Sequence, residues 1–499
     1  MVVASGQALE RTATVTPVEL MARACEAALA DAPGLRRRID RLSVVDIMTR
    51  TGPAPATELA RSLGVTPAAV EVTTIGGNSP QWLVSRAASE IAAGSLGVTL
   101  IAGAEAIRSS RRRRRDGLPR HTGDTTVAPD PVVGDALPGI GPAESAAGVL
   151  APIQVYPLIE SVLAARAGRT AAQQRRAIGE LFAPFTRVAA GHPFAWFPEA
   201  LSAYRIATPA PDNRLVCEPY TKRMTAFLGS DQAAALVVCS LAAARRAGVA
   251  DRAVFIWAGA EATDVRFPTA RPDPGRSPAI RAAGQALFRA AAEAAGPGGP
   301  APGIDDIDVL DLYSCFPCAV TLAADALGLD PDDPRGLTST GGLPYFGGPG
   351  NNYTTHGIAT VTDRLRGGGD AGRLGLATGL GWFVTKHALG LYGSEPPPGG
   401  FRRGATATDQ AIIDATAVPT ALEVPEPTTA TVVAVTVQRD HQGAAVAAPM
   451  IARLPDGRQV MAVPADPEVT AGLGEVDTPG LVGGDVVVEG GPPRYRLPH

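Results

Sequence analysis

Few side chains in this sequence are suited to covalent or acid–base chemistry, and their spacing narrows what they could do. The five cysteines are Cys25, Cys217, Cys239, Cys315 and Cys318. An odd, mostly scattered set in a long chain argues for reduced thiols in a cytoplasm rather than a disulfide framework. Cys315 and Cys318 have CxxC spacing, but no second cysteine pair exists to complete a zinc site, so no metal or redox role is expected. A histidine between glycine and proline, at Gly191–Pro193, falls in a stretch that reads as helical, and a structural role is expected for it. The sharpest charge feature is RSSRRRRRDGLPR, Arg108–Arg120. It reads either as a solvated, mobile loop or as a site for phosphate groups or an acidic partner.

The whole chain sets the background for these groups. It has 499 residues, 45% hydrophobic and 19% charged, with a formal charge of −4. That balance gives no general reason to expect nucleic-acid binding. No apolar run approaches the ~20 residues that span a bilayer, because Gly, Arg or Asp interrupts each one. The start, MVVASGQALERTATVTP, lacks a basic segment followed by an apolar core and is not a signal peptide. No membrane association and a cytoplasmic location are expected. The length exceeds what one core holds, so two to four units are expected.

The elements follow from periodicity. PVELMARACEAALAD has apolar residues at helical spacing and ends in a Pro-Gly turn; a second helix is expected around Thr57–Leu63. VTTIGGNSPQ, QWLVSRAASEIAAG and VTLIAGAEA then give strand, glycine turn, helix and buried strand, a βαβ order. Residues 150–205 read as mainly helical. A second series follows: AAALVVCS, AVFIWAG, RAAGQALFRAAAEAAG, IDVLDLYSCF, GGLPYFGGPGNNY, TTHGIATVTDRLR and LGLATGLGWFV. Two halves thus repeat one scheme. Five short alternating runs near the C-terminus (TVVAVTVQ, AAVAAPMIARL, RQVMAVP, GDVVVEG, RYRL) predict a small β-barrel, OB-like in kind.

Four of these segments carry a resemblance to the thiolases, in order and over about residues 15–390. IAAGSLGVTLIAGAEA is similar to the end of the nucleophile helix, its glycine turn and the buried strand after it. GSDQAAALVV resembles the thiolase sDGAAA strand, DLYSCF the NEAF or HDCF segment, and GGLPYFGGPG the GGAIALGHPxG segment. With GGNSPQ, NRLVCEPYTK and the C-terminal extension, the chain resembles the type 1 thiolase-like proteins, often labelled acetyl-CoA acetyltransferases. The resemblance implies an α/β five-layered thiolase fold plus the barrel. It implies an N-terminal half at 1–240 with a mainly helical loop domain at about 120–225, and a second half at 241–392. A linker at 393–428 and a β domain at 429–499 complete the expected organisation.

The departures from the thiolase pattern bear on chemistry. A thiolase needs a cysteine at a helix N-terminus, where dipole and free N–H groups lower its pKa, and a histidine to activate it. Counting back through the gapless match places Gly77 at the cysteine, with Asn78 and Ser79 beside it. Gly347-Gly348-Pro349 places Gly348 at the histidine of the GHP motif. Ala377 or Thr378 stands where the second cysteine belongs, and Tyr313 where the asparagine or histidine of NEAF/HDCF belongs. Tyr313, Cys315, Asn351, Asn352, Tyr353, His356, Lys386 and His387 are expected on loops or helix starts facing the pocket. Candidate catalytic groups are His356, His387, Tyr313 and Cys315; candidate substrate-binding groups are Asn78, Ser79, Gly347, Gly348, Asn351 and Asn352.

By this resemblance the protein binds acyl-CoA, as substrate or ligand and without a further cofactor, with thiolase condensation weak or absent. Two alternatives stand beside it: an acyltransferase working through non-standard residues, or a scaffold recruiting a partner through its C-terminal domain. A monomer or homodimer is expected. The arginine run becomes a candidate for the phosphates of coenzyme A.

Overall fold

A computed structural model describes residues 1–49, 52–119, 123–367 and 372–497. In the N-terminal half the chain runs β1 (Val2–Leu9), α1 (Pro17–Asp31), β2 (Arg41–Val44), α2 (Pro55–Leu63), β3 (Ala69–Thr73), α3 (Ser79–Ala92) and β4 (Val98–Ala106). Strands β5 (Val132–Val133) and β6 (Asp231–Cys239) join the same sheet, in the order β1-β6-β4-β2-β3-β5. Helix α1 forms where the pattern places it: Thr16 and Glu19 make a reciprocal capping box, and Leu20, Met21, Ala24, Cys25, Ala28 and Leu29 bury one face.

Between β4 and β6 lie α4 (Ile107–Arg115), α5 (Pro152–Arg166) and α6 (Ala171–Gly191). The arginine run is therefore a helix over most of its described length, not a mobile loop. Arg108 donates to Thr12 O (2.8 Å) and Ala13 O (2.9 Å) and pairs with Asp231, while Arg112 donates to Thr12 O (2.9 Å). Arg120, at its end, lies outside the described residues.

The C-terminal half holds β7 (Phe255–Thr263), α7 (Pro278–Ala294), β8 (Val309–Asp311), α8 (Pro317–Leu327), α9 (Tyr353–Gly367), β9 (Leu374–Gly381), β10 (Lys386–Gly393) and β11 (Arg402–Arg403). Its sheet order is β8-β9-β10-β7-β11. Strands β7, β10, β9 and β8 repeat the order and senses of β1, β6, β4 and β2: two antiparallel pairings, then a parallel one. Helices α3 and α9 lie between the sheets, with α1 and α2 outside one and α7 and α8 outside the other. That is the five-layered arrangement. Close approach in the middle requires glycine: a Cβ at Gly259 would stand 3.0 Å from Ser85 Cβ, and one at Gly390 would overlap the Gln81 amide.

The C-terminal runs form a closed barrel of β12 (Val424–Val435), β13 (Met450–Arg453), β14 (Gln459–Pro464), β15 (Asp485–Gly490) and β16 (Arg494–Arg496), in the order β12-β13-β14-β16-β15. Its first strand begins at Val424, inside the stretch expected as connector, which also contains β11 and a helix at Ala407–Ala415. The barrel is sewn to the helical segment. Val435 N donates to Ser161 Oγ (3.2 Å), Arg439 pairs with Glu218 (3.2 Å), and Gln438 pairs with Cys217 across strands.

Candidate functional site

The turn before α3 is where the two halves meet. Gly76 N donates to Asn351 Oδ1 (3.0 Å), and Asn351 Nδ2 donates in turn to Asp46 O (3.1 Å) and Asp46 Oδ2 (3.0 Å). Thr354 Oγ1, in the first turn of α9, donates to Gly77 O (2.6 Å). The end of β9 lies against the same turn, so a Cβ at Gly379 would be 2.9 Å from Asn78 Cα. Segments far apart in sequence thus converge on this turn.

Residue 77 is covered. Tyr313 follows β8, its N–H donating to Thr378 Oγ1 (2.8 Å) and its ring edge-on to Tyr353 at 5.4 Å. A Cβ on residue 77 would overlap the Tyr313 hydroxyl and stand 2.5 Å from the Leu380 carbonyl oxygen, inside van der Waals contact. Burial holds the Tyr313 phenol well above its usual range, so it is a neutral hydroxyl at the turn. Gly348 is less confined: a Cβ there would be 3.1 Å from Phe227 O and 3.3 Å from Leu228 Cδ2.

The other predicted residues divide into groups held internally and groups that face space. Cys315 is buried, and burial pushes its thiol up to about 12, so it is protonated at neutral pH and packs as a small hydrophobe. His356 lies inside α9, fully buried, rather than on a surface facing the pocket. Its Nδ1 donates to Gln7 Oε1 (2.7 Å), its Nε2 has no partner among the described residues, and burial lowers it to about 3. Asn352, 1% exposed, donates from Nδ2 to Gly103 O (2.6 Å) and accepts from Thr355 Oγ1 (2.5 Å). Ser79 Oγ donates to Thr74 O (3.2 Å). Each therefore has work within the fold.

Lys386 and His387 open a buried strand, not a loop, because α3 covers one face of β10 and α7 the other. His387 Nε2 meets Asp264 Oδ2 at 3.1 Å, and that carboxylate also accepts from Ser277 Oγ (2.5 Å) and Ala279 N (3.0 Å) at the start of α7. His192, of the Gly191–Pro193 motif, comes nearer the turn than sequence separation suggests. Its ring packs on Phe346 at 4.9 Å, beside Gly347. Its Nδ1 accepts from Phe194 N (3.2 Å) and its Nε2 then donates to Thr360 Oγ1 (3.1 Å), an arrangement that closes the end of α6.

Two cavities flank these residues. One of about 500 Å3 is lined by Arg111, Lys222, Arg223, Phe227, Leu228 and Tyr345, and reaches the residues that touch Gly348. The other, of about 200 Å3, is lined by Asn78, Ser79, Trp82, Glu261, Lys386 and His387 among others. Lys222, Arg223 and Phe227 were not among the predicted site residues; the adjacent cations of TKRMTAF, just after NRLVCEPY, are the one local signal by which sequence reasoning could have found them. No group of three or more His, Cys, Asp or Glu among the described residues is placed to hold a metal ion, and no described helix is long and apolar enough to cross a membrane.

No protein-family model and no curated protein matches the sequence. Among solved structures, a monomeric SCP2-thiolase-like protein type 1 from Mycobacterium smegmatis is 31% identical, covers 100% of this chain and 98% of its own, and has a TM-score of 0.82. The Ltp2–ChsH2(DUF35) aldolase is 19% identical, with TM-score 0.58 over 79% of this chain and 97% of that one. An acetyl-CoA acetyltransferase from Syntrophomonas wolfei is 14% identical, with TM-score 0.55 over 79% and 98%. The last two show the fold alone. The first matches from end to end, barrel included, and with it the chain belongs to the SCP2-thiolase-like proteins of type 1, in the thiolase superfamily.

Proposed function

We propose that this protein binds acyl thioesters of coenzyme A beside the Gly347–Gly348 turn and carries out no condensation through a cysteinyl acyl-enzyme. The observation that carries the second half is the packing at residue 77. An acyl-enzyme needs a nucleophilic side chain there, and the space it would fill is occupied by the Tyr313 hydroxyl and the Leu380 carbonyl. No other group supplies the chemistry on the same turn. Cys315 keeps its proton, and His356 is turned toward Gln7 on β1.

The first half rests on the larger cavity. Its volume of about 500 Å3 is in the range of small-molecule sites. Arg111, Lys222 and Arg223 suit a nucleotide's phosphates, while Phe227, Leu228 and Tyr345 offer apolar walls toward Gly348. We also take the chain as a monomer. Strand β5 pairs with Val72 and Thr73 on the outer side of β3 and so covers part of the edge that would otherwise present free N–H and C=O groups to a second copy.

Calorimetric titration with coenzyme A and acetyl-CoA tests binding, with saturable heat expected for both. Intact-mass measurement after incubation with acetyl-CoA tests the chemistry, and no acetyl group at residue 77 or on a cysteine is expected. A stoichiometric adduct, discharged by a second acetyl-CoA to acetoacetyl-CoA, would mean that another residue has taken over the nucleophile's work.

A further inference from the structure

The nine residues of α4 include six arginines, and the structure divides them by what they touch. Three fasten the helix to the body of the protein. Arg108 pairs with Asp231 and donates to Thr12 O and Ala13 O, Arg112 donates to Thr12 O, and Arg113 donates to Pro119 O at 3.0 Å. The other three are unspent. The guanidinium groups of Arg111 and Arg114 are exposed and meet no carboxylate or carbonyl among the described residues. Arg115 has only Asp116, at 3.7 Å, and its side chain is 77% exposed. Residues 111, 114 and 115 stand in the i, i+3, i+4 relation, so these three cations share one face of the helix. Like charges at that spacing repel, and the carboxyl end of the helix dipole offsets this only in part. A dianion bridging them would remove the repulsion.

The place of this face indicates which dianion. Arg111 also lines the cavity of about 500 Å3 beside Gly348. Within that cavity the charges largely cancel. Arg223 is paired with Asp212 at 2.6 Å, and Glu199, which also lines the space, is paired with Arg205 at 3.0 Å. Arg111 and Lys222 are the lining cations without an acidic partner among the described residues. Coenzyme A brings a diphosphate and a 3′-phosphomonoester, and a monoester alone carries about −1.5 to −2 at pH 7. Two unpaired cations match the diphosphate. The monoester needs others, and Arg114 and Arg115 continue the face that begins with Arg111 at the mouth.

We propose that Arg114 and Arg115, with Arg111 at the mouth, bind the 3′-phosphate of coenzyme A. The protein then selects coenzyme A and its thioesters over their 3′-dephosphorylated forms. The inference rests on thioester binding in the cavity and adds to it the residues that read the nucleotide end. A guanidinium presents a planar fork of donors that fits two oxygens of a terminal phosphate, and neighbouring forks on one helix face can share the third.

Calorimetric titration of the full chain with coenzyme A and with 3′-dephospho-coenzyme A tests this. At low salt coenzyme A should bind about fivefold more tightly, and the ratio should shrink as salt rises, because the contacts are exposed. In the double variant Arg114→Gln, Arg115→Gln the affinity for coenzyme A should fall to that for the dephosphorylated ligand. The affinity for the dephosphorylated ligand should itself stay unchanged. The wild-type ratio needs no variant to fold. Equal affinity of the wild-type protein for the two ligands overturns the proposal and leaves coenzyme A binding in place. Equal weakening of both ligands by the double substitution also overturns it. Binding of neither ligand overturns it together with the reading on which it rests.

Discussion

The two central helices begin in opposite ways. At the start of α9 most polar groups are spent: Asn351 ties Gly76 to Asp46, Asn352 ties Gly103 to Thr355, and His356 Nδ1 ties to Gln7, leaving only its Nε2 unpaired among these. At the start of α3, Asn78 Oδ1 has no partner, glycines occupy 76 and 77, and a lysine stands behind the turn. One turn supplies the side chains that clamp the halves together; the other receives that clamp through its backbone and leaves a buried amide oxygen unpaired. In a fold made of two similar halves, equivalent turns have thus diverged in how fully their polar groups are paired, and resemblance alone does not say which is which.

The largest expected effect comes from forcing a side chain into the covered turn before α3. Gly77→Cys should destabilise the protein by about 3 kcal/mol, because the Leu380 carbonyl is backbone and cannot yield. Adding Tyr313→Ala should recover part of that loss, read as a non-additive double-mutant cycle in urea unfolding. Full additivity would mean that the phenol does not guard residue 77.

Asn352→Ala should cost about 2 kcal/mol, since it strands the buried Gly103 carbonyl and frees Thr355. Asn78→Ala should cost under about 0.5 kcal/mol, because its oxygen has no partner to lose. Equal costs in thermal unfolding would erase the contrast between the paired and the unpaired asparagine.

Acid sharpens the same contrast. Burial lowers His356 to about 3 and His192 to about 4, so both are neutral in the folded state near pH 7. Their unfolded forms take up protons below about 6.5, so stability is full above that pH and falls as pH drops toward 4 and then 3. His356→Asn, which can keep a donor toward Gln7, should flatten part of that fall in a plot of urea midpoint against pH. A parallel curve for the variant would mean that His356 does not contribute.

The smallest expected effect is at the cavity rim. Arg111→Glu should weaken coenzyme A binding a few-fold at low salt and less at high salt, because an exposed charge is screened. Affinity independent of both substitution and salt would return Arg111 to the role of a surface arginine.

Most elements were legible because their side-chain period is local. PVELMARACEAALAD, VTLIAGAEA and the five C-terminal runs became α1, β4 and the barrel strands. Two of the longer strands were not. VVASGQAL and KHALGLYG are rich in small residues and carry polar ones, so neither alternation nor β-branching marks them. Strand β10 is nevertheless buried on both faces, and that burial depends on α7, about 100 residues away in sequence, and α3, about 300 away. For the same reason Lys386 and His387 were expected on a loop.

At the site, glycine at 77 and at 348 could be read from the string of letters, and the resemblance to thiolases sets those two positions against a thiol and an imidazole. What fills those places could not. Tyr313 reaches residue 77 from across the sheet, Asn351 and Asn352 turn inward, and the two lysines face cavities only because strands and turns distant in sequence pack around them. Residue identity limits which bonds a chain can make or break. Which groups stand free to make them is set by close packing and by the need to pair every buried polar atom, and both belong to the assembled fold.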